Sequence, residues 1–310
     1  MMPRRTEMSH RRAAGFDTLE PLYAAGLLVE AQRDAAGAVS EALVPIVAAA
    51  GLAAERLRAG GRLIYAGAGS SGLMALADAL ELPGTFGVPR DRIVVLFAGA
   101  PATLVAMTGE SEDDTDLARR DIGSAAAGPK DCVIAVSASG STPYTLAALG
   151  EGKARGAATI AFANNAAAPL LAAADVGVLL ATPPELVAGS TRMGAGTAQK
   201  IALNVFSTLM AVELGHIHDG LMVNVQADNA KLVQRAVRIV ATVAQAGEER
   251  AADCLERAGG SVKLAVLMAS GAASPEEAAR RLEQAGGRIR PVLAALQEES
   301  AAAEGVGATG

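Results

Sequence analysis

The chain has 310 residues, 51% of them hydrophobic, which suffices for a sizeable buried core and excludes a disordered protein. Aromatics make up only 3% and Trp is absent, so that core must be built from closely packed Ala, Leu, Val and Ile. A formal net charge of −6 with no long basic run excludes a nucleic-acid binder and leaves any anionic ligand to backbone dipoles and hydroxyls.

The start, Met1 to Arg12, is basic but no apolar h-region follows, so it is not read as a signal peptide. Residues 17–60 are Ala-rich and predict helix, stopped by Gly60-Gly61. A first strand is predicted over 62–66 and a helix over 71–82. A second strand at 93–98 leads into a helix over 101–107. A third strand at 131–137 precedes a helix over 142–155, and further strands follow at 158–163 and 176–180. The strands are near-continuous apolar runs alternating with helices, which predicts an α/β fold with a parallel sheet covered on both faces. Helices are predicted over 192–214 and 225–245.

After Gly247 the pattern changes to four short helices at 248–258, 261–268, 274–284 and 289–297. The third opens on Ser274-Pro275-Glu276-Glu277, with Pro in the first turn and acids at the positive end of the dipole. The expected organisation is a domain over 1–246, a small helical module over 247–298 and a frayed tail over 299–310. Cys132 and Cys254 fit no metal spacing and point to a reducing, cytoplasmic setting. No apolar stretch reaches the ~20 residues of a membrane span. His216 and His218 read as surface residues near a turn.

Three strand-ending loops are rich in Gly, Ser and Thr: Gly67-Ala68-Gly69-Ser70-Ser71-Gly72, Ser137-Ala138-Ser139-Gly140-Ser141-Thr142 and Gly189-Ser190-Thr191. Ligands of open parallel sheets bind beyond the carboxyl ends of the strands, where helix N-termini offer free N–H groups and partial positive charge. One such loop is most simply a turn with a helix cap; two on the same side of a sheet favour an anion site. The first spells G-x-G-x-x-G, but no acid ends the next strand, which runs into Phe97-Ala98-Gly99, and this argues against a dinucleotide site. Glu81 and Glu112 each read alone as solvated helix-end acids. As a pair, one protonated and one ionised, they suit acid–base chemistry.

The segments ELPGTFG (81–87), EDD (112–114), SASGSTPY (137–144) and above all GSTRMGAGTAQKIALN (189–204) resemble the N-acetylmuramic acid 6-phosphate etherases, a family of the sugar isomerase (SIS) fold group. The stretches at 221–240 and 261–293 and Thr6-Glu7 extend the similarity over roughly 6–295. The resemblance implies a five-stranded parallel SIS sheet flanked by helices and a C-terminal helical module similar to ubiquitin-associated domains, usually as a homodimer. It implies a lyase that cleaves the D-lactyl ether of N-acetylmuramic acid 6-phosphate in peptidoglycan recycling, with no metal or organic cofactor. Glu81 matches the family's acid and Glu112 its base. Gly69, Ser70, Ser71, Ser137, Ser139, Ser141, Thr142, Ser190, Thr191 and Arg192 are the expected substrate-binding residues. Leu73, Ser141 and Gly194 stand where the family carries basic residues, and Asn164-Asn165 lacks the Cys and Pro of the family's segment. The competing readings are a non-catalytic sugar-phosphate sensor and a sugar-phosphate isomerase; the presence of both glutamates favours the lyase.

Overall fold

The computed structural model describes residues 5–107, 109–225 and 230–307. Two helices come first, α1 (Pro21–Gly37) and α2 (Leu43–Arg58), joined by a 3-10 turn at Ala38–Ala42. Glu20 caps α1 by accepting from the Leu22 and Tyr23 amides at 3.0 and 3.1 Å. Ile46, Ala49, Ala50, Ala53 and Ala54 form the buried stripe of α2. By length and composition alone Pro21–Arg58 is apolar enough to cross a membrane, a test that the core helix of a soluble protein passes as well. The small-residue stripe of α2 is buried in the way of a helix laid on a protein core.

Strands and helices then alternate: β1 (Leu63–Gly67), α3 (Gly69–Phe86), β2 (Ile93–Phe97), α4 (Ala102–Val105), α5 (Thr115–Ser124), β3 (Cys132–Val136), α6 (Pro143–Ala154), β4 (Ala158–Ala163), α7 (Pro169–Ala173) and β5 (Val176–Leu179). The five strands form one sheet in the order β2-β1-β3-β4-β5, all parallel. β1, β3 and β4 are buried along their whole length, as double coverage requires. β1 pairs with β3 although β2 lies between them in sequence, so the winding reverses there, the place at which open parallel sheets bind their ligands. Two expectations are corrected. The helix predicted over 101–107 is the single turn α4. The unanticipated α5 is polar, buries only Ala118 and Ile122, and starts where Asp114 accepts from the Leu117 amide at 2.7 Å.

The rest of the chain is α8 (Gly194–Glu213), the antiparallel pair β6 (Ile217–His218) and β7 (Leu221–Met222), and the helices α9 (Ala230–Ala244), α10 (Glu248–Arg257), α11 (Val262–Ala269), α12 (Pro275–Gln284) and α13 (Ile289–Gly307). Residues 226–229, where the helix over 225–245 was expected to begin, lie outside the described residues. The chain divides into two compact units, Met1–Glu81 with Pro89–Met210 and Leu82–Val88 with Ala211–Gly310. The sheet belongs to the first. The second has its own core, in which Ala236, Ile239 and Val240 of α9 join Cys254 and Leu255 of α10, Val266 of α11 and Leu293 of α13. The apolar face of α9 is thus buried among the helices that follow it, and the helical module expected over 247–298 lies within this second unit. The tail expected from 299 is helical through Gly307.

Within this second unit the histidines are drawn in. His218 keeps only 10% of its side chain exposed, and His216 Nδ1 is buried with no hydrogen-bond partner. This corrects the surface reading of both. Burial first, then the charge of Lys263, push the His216 imidazole down to about 4. Lys263 is itself buried, with Nζ donating to Gly287 O at 2.8 Å, and burial pulls its ammonium down to about 8. In the unfolded chain this lysine keeps its proton up to its ordinary 10.5. Between those values the unfolded state binds more protons, so stability rises with pH, by about 3 kcal/mol for this group. Lys263→Met is expected to raise Tm at neutral pH and to flatten that rise. Thermal unfolding of both proteins from neutral to alkaline pH checks it, and parallel profiles would contradict it.

Candidate active site

The first loop leaves β1 and enters α3 at Gly69, whose φ of +52° is left-handed and favours glycine. A Cβ at Gly69 would stand 2.7 Å from Glu112 Oε1, so the Glu112 carboxylate lies directly over the first turn of α3. Glu112 reaches this place from a 3-10 turn at Gly109–Glu112, just before the Asp114 cap of α5. It is half-buried, and desolvation first, then the neighbouring Asp113, raise its pKa above the ordinary glutamate value. Ser70 is half-buried in the same turn, and Ser71 is buried.

Ser71 joins this loop to the second, its Oγ accepting from the Ala138 amide at 3.1 Å. The second loop is a cluster of hydroxyls. Ser137 Oγ lies 2.8 Å from Thr142 Oγ1 and 3.3 Å from Ser139 Oγ, and it accepts from the Gly140 amide at 3.1 Å. The amide and hydroxyl of Ser141 both donate to Ser139 Oγ at 3.2 Å. Thr142 sits at the N-cap of α6 without bonding the helix amides, and Pro143 opens the helix. The first turn of α6 thus faces the cluster with no side-chain cap, an arrangement suited to an anionic group.

The third loop differs from expectation. Glu185, buried, accepts from the Gly194 amide at 3.0 Å through one carboxylate oxygen and from the Ala195 amide at 2.8 Å through the other. The start of α8 is therefore already occupied by an anion of the chain's own and is not open for a ligand. A Cβ at Gly194 would stand 3.0 Å from both Glu185 Oε2 and Ala35 Cβ, which accounts for glycine at that position. Ser190 and Thr191 are half-buried and Arg192 is exposed before this capped end. Of the other two departures, Ser141 belongs to the hydroxyl cluster and Leu73 is 37% exposed on α3.

Glu81 is exposed on α3, twelve residues beyond Gly69, which is about 18 Å of helical rise. Within one chain the structure brings together Glu112 and the first two loops, and leaves Glu81 at the far end of the helix. Leu73 and Leu80 are exposed on α3 as well. A buried residue that the sequence reading did not single out is Asp78. Its carboxylate accepts from Tyr65 Oη at 2.9 Å, Asn204 Nδ2 at 3.0 Å and Ser207 Oγ at 2.8 Å, and burial raises its pKa. This network ties α3 to β1 and α8. Asn165 was also missed as a participant; its amide reaches the backbone of the second loop. No spacing rule signals either residue, because each acts through partners that are distant in sequence.

Residues 30–164 and 117–213 match two models of the SIS domain. The N-acetylmuramic acid 6-phosphate etherase of Deinococcus radiodurans is 47% identical over 266 residues, which cover 86% of this chain and 87% of that protein. The proteins of the same name from Symbiobacterium thermophilum and Streptomyces avermitilis are 43% and 41% identical, covering 84% and 94% of this chain and 87% and 93% of their own. The chain belongs to the N-acetylmuramic acid 6-phosphate etherase family and carries its SIS domain.

Proposed function

We propose that the protein is a carbon–oxygen lyase that cleaves the D-lactyl ether at C3 of N-acetylmuramic acid 6-phosphate. Water is consumed, and N-acetylglucosamine 6-phosphate and D-lactate are released. The observation that carries the assignment of roles is Glu112, a half-buried carboxylate of raised pKa held over the start of α3, one loop away from a hydroxyl cradle. In the ring-opened sugar the C1 aldehyde acidifies the C2 proton. Glu112 takes that proton, the C2=C3 double bond forms, and the C3–O bond breaks. The departing lactyl oxygen receives a proton from Glu81. Water then adds at C3, giving a proton to Glu81, while Glu112 returns its proton to C2. Ser137, Ser139, Ser141, Thr142 and the first turn of α6 hold the phosphate.

Glu81 enters this scheme from a second copy of the chain. Its exposed place on α3, about 18 Å of rise from Gly69, suits a role in a neighbour's crevice and not in its own. Leu22, Val29, Val44 and Val47 of α1 and α2 are more than half exposed, and Leu73 and Leu80 add to the apolar surface on α3. Covering such surface supports a homodimer. The reaction belongs to recovery of amino sugars from peptidoglycan, in the cytoplasm.

Incubation with N-acetylmuramic acid 6-phosphate in ¹⁸O-labelled water tests the assignment. D-lactate release with label at the C3 hydroxyl of the sugar product is the expected result. Binding without turnover would fit a sensor, and solvent deuterium at C2 without lactate would fit an isomerase.

A further inference from the structure

Thr6 and Asn165 are 159 positions apart and form one buried unit, 4% and 6% exposed. Asn165 Oδ1 accepts from the Thr6 amide at 3.3 Å. Asn165 Nδ2 donates to Thr6 Oγ1 at 3.1 Å and to the carbonyls of Ala138 and Ser139 at 3.3 and 3.2 Å. Thr6 O in turn accepts from the Gly189 amide at 3.2 Å. A short turn near the start of the chain, Arg5–Glu7, thereby holds the second and third site loops together.

A buried asparagine with its hydrogen bonds made is commonly a structural residue. What distinguishes Asn165 is where its donors go. Both carbonyls belong to the loop that carries the hydroxyls, and Ser139 is the hub to which Ser137 and Ser141 both bond. Its own position is fixed from behind. The preceding Asn164 donates to Thr182 Oγ1 at 3.3 Å and accepts from Gln199 Nε2 at 2.9 Å, and its amide donates to Ala138 O at 3.0 Å. The amide of Asn165 is therefore a rigid pin, and Thr6 fixes its orientation by meeting both its oxygen and its nitrogen.

We propose that Thr6 and Asn165 are positioning residues for the phosphate cradle, setting the Ser139 backbone so that the hydroxyls of 137–142 converge on the anion. This rests on the reading of 137–142 as the phosphate-binding loop. It predicts a loss in substrate affinity and not in the proton transfers.

Thr6→Val keeps the side-chain shape and removes the acceptor for Asn165 Nδ2. KM for N-acetylmuramic acid 6-phosphate is expected to rise about tenfold, and calorimetric affinity for N-acetylglucosamine 6-phosphate to fall by the same factor, with kcat changed less than about threefold. Thr6→Ser, which restores the oxygen, is expected to recover both. Because Thr6 acts through Asn165, the double variant Thr6→Val/Asn165→Ala should lose no more affinity than Asn165→Ala alone. Unchanged KM and affinity in Thr6→Val would overturn the inference, as would additive losses in the double variant. So would a loss that Thr6→Ser fails to recover while Tm is unchanged. A wild-type protein that neither releases lactate nor binds the sugar phosphate would remove the functional reading, and this inference with it. A wild-type protein that does both while Thr6→Val matches it would remove this inference alone.

Discussion

Glu112→Gln is expected to reduce D-lactate release by about 10²- to 10⁴-fold with little change in Tm. The amide fills the same space over Gly69 but cannot accept the C2 proton. Its loss of charge also relieves the desolvation that raises the pKa of the carboxyl group, so the fold has no need of the native side chain. The pH profile gives a second reading. A base works only when ionised, so kcat/KM should rise with pH through the Glu112 pKa, which lies above the ordinary glutamate value. Asp113→Asn removes the second cause of that elevation and should move the acid limb to lower pH. Glu112→Gln retaining more than a tenth of the activity would remove Glu112 as the base. An acid limb unmoved in Asp113→Asn would show that the limb belongs to another group.

The second large effect concerns Glu81. Glu81→Gln alone is expected to lose activity on the same scale, because the lactyl oxygen then leaves without its proton. Mixing inactive Glu81→Gln with inactive Glu112→Gln, under conditions that let subunits exchange, is expected to restore activity. Each heterodimer would contain one crevice with both native glutamates and one with neither. With equal amounts and random pairing, half the dimers are mixed and half their crevices are native, so about a quarter of the wild-type activity should return. A lactate assay on the re-equilibrated mixture, with each variant alone as its control, makes the measurement. Absence of recovery despite demonstrated exchange would place both glutamates in one chain and contradict the distance along α3.

Much of the fold was legible because its signals are local. The strand runs at 93–97 and 132–136 are apolar without interruption and 158–163 is broken only by Thr159, the near-continuous pattern of strands in a parallel sheet covered by helices. Gly60-Gly61, the Gly69 turn and Ser274-Pro275 mark element ends through backbone preferences that each residue carries with it. The polar helix α5 escaped because only Ala118 and Ile122 of it are buried, too few to produce a period. The placement of α9 with the second unit was equally hidden. A helix there was plain, but not the partner that buries it.

The site divides along the same line. Residue types and loop chemistry were written in the chain: glycines where the backbone must turn, hydroxyls before helix starts, and carboxylates in two separate segments. What only the tertiary structure decided was which of these meet. The carboxylate of Glu112 crosses to Gly69, Glu185 closes the start of α8 against a ligand, Thr6 reaches Asn165, and Glu81 is carried away along α3. Backbone preference and apolar period act over a few residues and can be read from neighbours in the chain. Convergence of side chains depends on strand order and helix direction, which arise only when the whole sheet is assembled.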